Sequence, residues 1–197
     1  VCTLQGEDCF IETLGEYTDD VWEMLHQNSK YIDVYHAVSV SYAGKMKRCM
    51  RIADEQVRLV YNGLQLDGYG PAEKAPDPPV IGFLARMCAP KGLASLVDAW
   101  LALKQDPAHA AVRLHLGGSK VNQDVKFVDG LLEKINDAGH GGDVKVFPNM
   151  SRAEKQEFLR GLSFLCTPPR YDEAFGLYVL EALASAVPVV LPDRGAF

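Results

Sequence analysis

The sequence predicts an α/β protein of two domains, each a parallel sheet covered by helices. Three observations carry that expectation. Apolar runs of strand length alternate with stretches of helical period along the whole chain. Such alternation implies βαβ units, and βαβ units make parallel sheets with helices on both faces. The pattern breaks at Leu64–Pro79, where LQLDGYGPAEKAPDPP has four prolines and two glycines in sixteen residues and no apolar period. That is the composition of a linker. We therefore expect residues 1–66 to be the C-terminal part of a first domain, 67–79 a linker, and 80–197 a nearly complete second domain. The chain begins at Val1 and stops at Phe197 just after a strand and a turn. It reads as a piece of a longer protein, cut at both ends.

The elements follow in order. Val1–Leu4 ends a strand-like run, and residues near Asp19–Ser29 look helical. Tyr35–Val40 reads as a strand, followed by a helix with Ser41 as its N-cap. Val57–Gly63 is a strand closed by Asn-Gly. Beyond the linker, Val80–Ala85 is a strand. A helix runs from Gly92 to about Gln105, with Leu93, Leu96, Val97, Trp100 and Leu101 at helical spacing. Val112–Gly118 and Val144–Pro148 are strands around a helix at Val121–Ala138. Ser151 and Glu154 form a capping box for a helix at Ser151–Gly161. A strand at Ser163–Thr167, a helix at Ala174–Ala186 and a strand at Pro188–Leu191 complete the pattern. Trp22 and Trp100 read as core residues, and His36 as a packing histidine within its strand.

Composition narrows the function. The net charge is -6 with a pI near 5.4, which argues against a nucleic-acid partner. A small anion remains open, because it needs only two or three local cations. No apolar run approaches the roughly 20 residues that span a bilayer. The five cysteines are scattered with no C-x-x-C, so they read as reduced thiols in a cytoplasmic protein.

In open α/β sheets ligands bind outside the carboxyl ends of the strands. In the second domain those ends lead to Arg86 and Lys91, to Gly117, Gly118 and Ser119, to Pro148 and Asn149, and to PPRYDEAFG. Two cations, two small-residue loops and a helix N-terminus on one rim describe a diphosphate pocket. There is no G-x-G-x-x-G, no G-x-x-x-x-G-K-[ST] and no D-x-D pair. A pocket built from Arg86, Lys91 and helix dipoles, without metal, fits what is present. Two acids, Glu173 and Glu181, stand eight apart around the last helix. Glu173 precedes the helix, where the dipole favours a carboxylate. Glu181 shares a stripe with Ala174, Tyr178 and Ser185, facing either solvent or a cleft with hydroxyl partners.

These residues carry a resemblance. Glu173-Ala-Phe-Gly-Leu-Tyr-Val-Leu-Glu181, followed by ALASAVPVV, resembles the E-x7-E signature of retaining GT-B glycosyltransferases of the family 4, or group 1, type. GFLARMCAPKGLASLVDAW resembles that family's segment in which an Arg and a Lys five apart hold the donor diphosphate, here Arg86 and Lys91. VRLVYNGLQLDGY resembles the exit from the acceptor domain, and TLQGED and HAVSVSYAGKM its earlier strand loops.

The resemblance implies transfer of a sugar from a nucleotide-sugar donor to a carbohydrate, lipid-linked or small-molecule acceptor, with retention of configuration. It implies no cofactor and no metal, and leaves peripheral membrane association open. A GT-B-like epimerase and a non-catalytic nucleotide-sugar-binding module are the alternatives. Within the resemblance Glu181 binds the ribose, Glu173 positions the transferring sugar, and Arg86 and Lys91 stabilise the leaving diphosphate. Backbone N–H groups of Phe175, Gly176 and Leu177 touch sugar or phosphate, and Gly117, Pro148 and Asn149 border the donor. Gln5, Gly6, Glu7 and Asp8 fall on the acceptor side. Three positions depart from the family pattern. Ala186 and Ala85 stand where glycines are usual, and Gln5 lies near the place of a histidine. The chain by itself is expected to be inactive.

Overall fold

The computed structural model describes residues 1–197. The chain forms two compact units that do not follow chain order. One holds Val1–Gly63, Tyr171–Gly176 and Asp193–Phe197, and the other Leu64–Arg170 and Leu177–Pro192. No helix is long and apolar enough to cross a membrane.

The first unit has a three-stranded parallel sheet of β1 (Cys2–Leu4), β2 (Tyr35–Ala37) and β3 (Val57–Leu59), in the order β1-β2-β3. The connections are helical: α1 (Asp8–Ile11) and α2 (Thr18–Asn28), then α3 (Val40–Met50). Its core gathers Leu4, Tyr35, Val38, Tyr42, Met46, Met50 and Ile52, with Trp22 half-buried against it. Tyr42, Met46 and Met50 repeat at i, i+4 and i+8, so α3 buries one stripe. The N-cap of α3 is Ser39, not Ser41 as expected from sequence. The Ser39 hydroxyl accepts from the Tyr42 N–H at 3.1 Å. Both serines suit a cap, but β2 already ends at Ala37 and Val38 is buried in the core. The turn therefore comes two residues early. For the same reason the strand expected to Val40 is short, and the one expected to Gly63 stops at Leu59.

The second unit has a five-stranded sheet: β4 (Val80–Leu84), β5 (Arg113–Gly118), β6 (Val144–Pro148), β7 (Phe164–Cys166) and β8 (Val189–Val190). All pairings are parallel and the order is β6-β5-β4-β7-β8. Helices α4 (Leu93–Leu103) and α5 (Val125–Asp137) contribute Leu93, Val97, Trp100, Val128 and Ile135 to the core on one face. Helices α6 (Arg152–Arg160) and α7 (Leu177–Ala184) contribute Phe158, Leu159 and Ala182 to the other. Every residue of β4 is buried, as a central strand covered on both faces requires. Burying Trp100 fully removes about 200 Å² of largely apolar surface from water, and its Nε1–H still donates to the Val112 carbonyl at 3.3 Å.

Two helix starts differ from the sequence reading. The helix expected from Val121 begins as a 3-10 turn over Asn122–Asp124, and α5 proper starts at Val125. The helix expected from Ala174 starts at Leu177. Gly176 has φ 81°, outside the helical region, and Ala174 is buried in the core of the first unit. Packing has pulled 171–176 away from the helix that its composition suggested.

Candidate functional site

The second sheet sets where a ligand can bind. The chain enters at the central strand β4, builds outward through β5 and β6, then returns beside β4 with β7. Strand order reverses there, which marks the carboxyl ends of these strands as the place to look for a ligand. A cavity of about 280 Å³ opens at the carboxyl ends of β4, β5 and β6. Its wall includes Ala85, Gly118, Asn149, Lys155, Tyr178 and Glu181.

The loop after β4 carries both expected cations. Arg86 directly follows Ala85 of the cavity wall. Its Nε and Nη2 donate to Asp124 Oδ2 and Oδ1, each at 3.0 Å. Asp124 is 4% exposed, so the two-point pair is partly desolvated and stiff. The hydrogen bonds from Arg86 hold the Asp124 carboxyl below its ordinary value, against the opposing effect of burial. Two of five guanidinium N–H groups are used this way, and three remain for a ligand. Lys91 ends a 3-10 turn that is closed by Gly92 at φ 77°. Its Nζ lies 5.8 Å from the Tyr178 ring centroid, at cation–π distance. A Cβ on Gly92 would lie 1.7 Å from the Pro168 carbonyl oxygen, and Arg170 N–H donates to the Pro90 carbonyl at 2.8 Å. The loop after β7 thus clamps the one bearing Lys91.

The loops after β5 and β6 are tied together. Asn149, at φ 55°, donates its N–H to the Gly118 carbonyl at 2.8 Å. Its side chain accepts from Lys120 N–H at 3.0 Å and donates to Lys120 O at 3.2 Å. Gly117 is buried and Pro148 exposed. A Cβ on Gly117 would lie 2.8 Å from both Met150 and Phe158 side chains.

Glu181 is 8% exposed and lies on α7. The expected stripe is corrected in two ways. Ala174 is outside the helix, and the Ser185 hydroxyl donates to the backbone carbonyl of Glu181 at 3.0 Å, not to its carboxylate. The hydroxyl partner is Tyr69, whose phenol donates to Oε1 at 3.0 Å. Lys155 Nζ donates to the same oxygen. A buried carboxylate therefore has an ion pair and a phenol. Burial, then the hydrogen bond to Glu181, pushes the Tyr69 hydroxyl up to about 12, so it remains a donor at neutral pH.

All but one of the remaining expected residues belong to the first unit. Glu173, Phe175 and Gly176 lie in the segment packed there, and Leu177 opens α7 in the second. The Ala196 N–H donates to the Glu173 carbonyl at 3.0 Å. Phe175 packs against the first unit's core, with its ring 6.5 Å from that of Tyr61. Gln5 to Asp8 form a tight local group. The Glu7 carboxylate accepts from Gln5 N–H, Gly6 N–H and the Tyr42 hydroxyl at 2.8 to 3.1 Å. Burial and Glu7 raise the pKa of Tyr42. Asp8, 2% exposed, pairs with Lys45 at 2.6 Å. Burial works against the Lys45 charge, but Asp8 and Glu12 outweigh it and raise Lys45 to about 12. A Cβ on Gly6 would stand 3.9 Å from that of Ala174, so the loop after β1 meets the segment carrying Glu173.

Sequence reasoning missed Asp124, Tyr69 and Lys155. Asp124 had a signal in its place three residues after Val121, at the start of a helix, whereas Tyr69 lies in a stretch read as linker and its long-range partner left no local trace.

The family model described as "Glycosyl transferases group 1" matches residues 70–197. D-inositol 3-phosphate glycosyltransferase of Nocardia farcinica is 28% identical over 151 residues, covering 72% of this chain and 33% of that protein. Mannosylfructose-phosphate synthase of Agrobacterium fabrum is 26% identical over 117 residues, 59% of this chain and 26% of that one. The chain thus spans about a third of the length of the D-inositol 3-phosphate glycosyltransferase it matches. Among solved structures, Anabaena HepE in complex with UDP and glucose superposes with a TM-score of 0.77 at 19% identity, covering 94% of this chain and 50% of that one. Sucrose-phosphate synthase of Thermosynechococcus elongatus gives 0.75 at 19%, over 98% and 50%. The fold is mixed α/β with parallel, Rossmann-like sheets of the GT-B type. With a family match over residues 70–197 and these folds alongside, the chain belongs to the group 1 glycosyl transferases.

Proposed function

We propose that the protein carrying this chain moves a sugar from a nucleotide-sugar donor to a carbohydrate, lipid-linked or small-molecule acceptor, with retention of configuration and without a metal. The supporting observation is the cavity at the strand ends of the second unit, with the buried Glu181 carboxylate on its wall and the Arg86–Lys91 loop leaving it. In this reading residues 80–197 bind the donor, 1–66 serve the acceptor, and 67–79 link them. HepE has been solved with UDP-glucose, which makes uridine diphosphate sugars the first donors to test.

The chemistry follows from the residues. Glu181 accepts hydrogen bonds from the ribose hydroxyls, and Asn149 with the backbone of Gly117 and Pro148 borders the nucleotide. As the bond from sugar carbon to phosphate oxygen breaks, negative charge gathers on the leaving diphosphate. Arg86, held by Asp124, offers its remaining N–H groups to that charge, and Lys91 adds an ammonium. The opening N–H groups of α7 have no intrahelical acceptor and add the helix dipole. Backbone N–H groups of Phe175, Gly176 and Leu177 are the contacts proposed for the sugar or phosphate, with no side chain at Gly176 to block approach. Glu173 positions the transferring sugar. The cytoplasm is the proposed compartment, on the scattered spacing of the five cysteines in the sequence.

The test measures donor binding by calorimetry on the complete protein, as wild type and Arg86→Ala. Losing a charged hydrogen-bonding partner of the diphosphate costs about 1.5–3 kcal/mol, or roughly 10- to 150-fold in affinity. Equal affinity in both proteins would sink the diphosphate role. Product stereochemistry with an anomerically labelled donor tests retention. An epimerised donor with no transfer would favour an epimerase, and tight binding without turnover a binding module.

A further inference from the structure

The stretch that reads as a linker is not a loose tether where it meets α6. Arg152, Gln156 and Arg160 lie on one stripe of that helix, four residues apart. Arg152 donates to Gln65 Oε1 at 2.8 Å and to the carbonyls of Gln65 and Asp67 at 2.8 and 3.0 Å. Gln156 donates to the Asp67 carbonyl at 2.8 Å, and Arg160 to that of Gly68 at 2.9 Å. A Cβ on Gly68, whose φ is 83°, would stand 2.5 Å from Gln156 Oε1. Residues 65–68 are therefore pinned in one register as a strap, and Tyr69 is the next residue. The Arg152 guanidinium also stacks 5.7 Å from the Tyr69 ring centroid.

Tyr69 and Lys155 both donate to Oε1 of Glu181, and Lys155 also comes from α6. Oε2 receives no hydrogen bond from the protein, although Glu181 lines the cavity. A carboxylate with both donors on one oxygen has its plane fixed and its other oxygen left for a ligand. Its two or so remaining lone pairs suit the paired hydroxyls of a ribose. Lys155 also offsets the Glu181 charge, which would otherwise repel an incoming diphosphate. We propose that Tyr69 and Lys155 are positioning residues for the ribose, setting the direction of Glu181, and that the strap on α6 holds Tyr69 in place. This rests on Glu181 being the ribose-binding acid.

The test uses the complete protein and the nucleoside diphosphate, among uridine, guanosine and adenosine forms, that it binds best. Kd is measured for that ligand and for its 2′,3′-dideoxy analogue, and their ratio reports the ribose contacts. Tyr69→Phe keeps the ring and removes the donor, so the ratio falls about 5-fold while dideoxy affinity holds. Lys155→Met and Arg152→Ala lower the ratio in the same direction. In a Glu181→Ala background Tyr69→Phe changes nothing further. If all three variants weaken both ligands equally, or leave the ratio intact while Glu181→Ala abolishes it, the positioning role is overturned and the Glu181 reading stands. If the wild type shows no ribose preference, or Glu181→Ala retains it, both are overturned.

Discussion

Arg86 and Asp124 face each other through two hydrogen bonds of 3.0 Å, one from Nε and one from Nη2. The pair joins the loop after β4 to the turn before α5, and it orients the guanidinium of the residue that follows Ala85 of the cavity wall. Asp124 also accepts from the Val121 N–H at 3.3 Å, so the same carboxylate caps its own turn.

The first prediction concerns stability. Asp124→Asn leaves a half-exposed Arg86 without its carboxylate and weakens the turn before α5. Loss of charge-assisted hydrogen bonds costs about 1.5–3 kcal/mol in urea unfolding. The Asp124 carboxyl is depressed below its ordinary 3.8, so its contribution is complete above that value and drains as pH falls through the folded pKa. Wild type therefore loses stability below about pH 4 more steeply than the variant. Parallel acid limbs for the two proteins would remove Asp124 from the account.

A second prediction addresses the cap of α6. The Ser151 hydroxyl accepts from the Glu154 N–H at 3.3 Å, while Glu154 accepts from the Ser151 N–H at 2.7 Å. Ser151→Ala costs about 1 kcal/mol, measured as a shift in the urea midpoint at constant slope. Since α6 carries the strap and Lys155, the same variant reduces protection from hydrogen exchange at 65–69.

Much of this was legible in the sequence. The alternation of elements, the Ser151 cap and the placing of Arg86, Lys91 and Asn149 after their strands come from local composition, because β-runs, caps and turns are local events. Glu181 was legible as an acid on an apolar helix. Its partners were not, because Tyr69 lies 112 residues away in chain order. Nor was the break before α7 legible, since Ala174 and Phe175 are apolar enough for a helix. It is the first unit's core that takes them. Ser39 beat Ser41 on packing of Val38 and Tyr42, which no cap rule sees.

A third prediction tests the close approach of the β4 and β5 loops. Gly118 has φ 132°, and a Cβ there would stand 1.7 Å from the Ala85 carbonyl oxygen. Neither atom is on a flexible side chain, so the backbone itself must move. Gly118→Ala is expected to cost more than about 3 kcal/mol, as overpacking and strain add. It also breaks the Asn149 bond to the Gly118 carbonyl, loosening the cavity wall. Gly142→Ala, exposed and with nothing within 4 Å of its Cβ, is the control and changes the unfolding midpoint little.

The last prediction is a gain. Ala186 closes α7 at φ 56°, a left-handed conformation that costs an L residue about 1–2 kcal/mol. Its Cβ is on an exposed residue, so little packing is lost with it. The turn must be left-handed here, because Val187 N–H returns to the Ala182 carbonyl at 2.9 Å and Ala186 N–H to that of Leu183 at 3.0 Å. These bonds close the helix in the Schellman manner and put Val187 into the core at 4% exposure. Glycine at 186 removes the strain but has more freedom when unfolded, at a cost of about 0.4–1 kcal/mol. The balance favours Ala186→Gly by about 0.5–1 kcal/mol, or roughly 1–4 °C in Tm for a chain of this size. Ala186→Val moves the other way, because a β-branched residue tolerates positive φ less well. A glycine variant that melts below wild type would show that the left-handed closure is not what limits the end of α7.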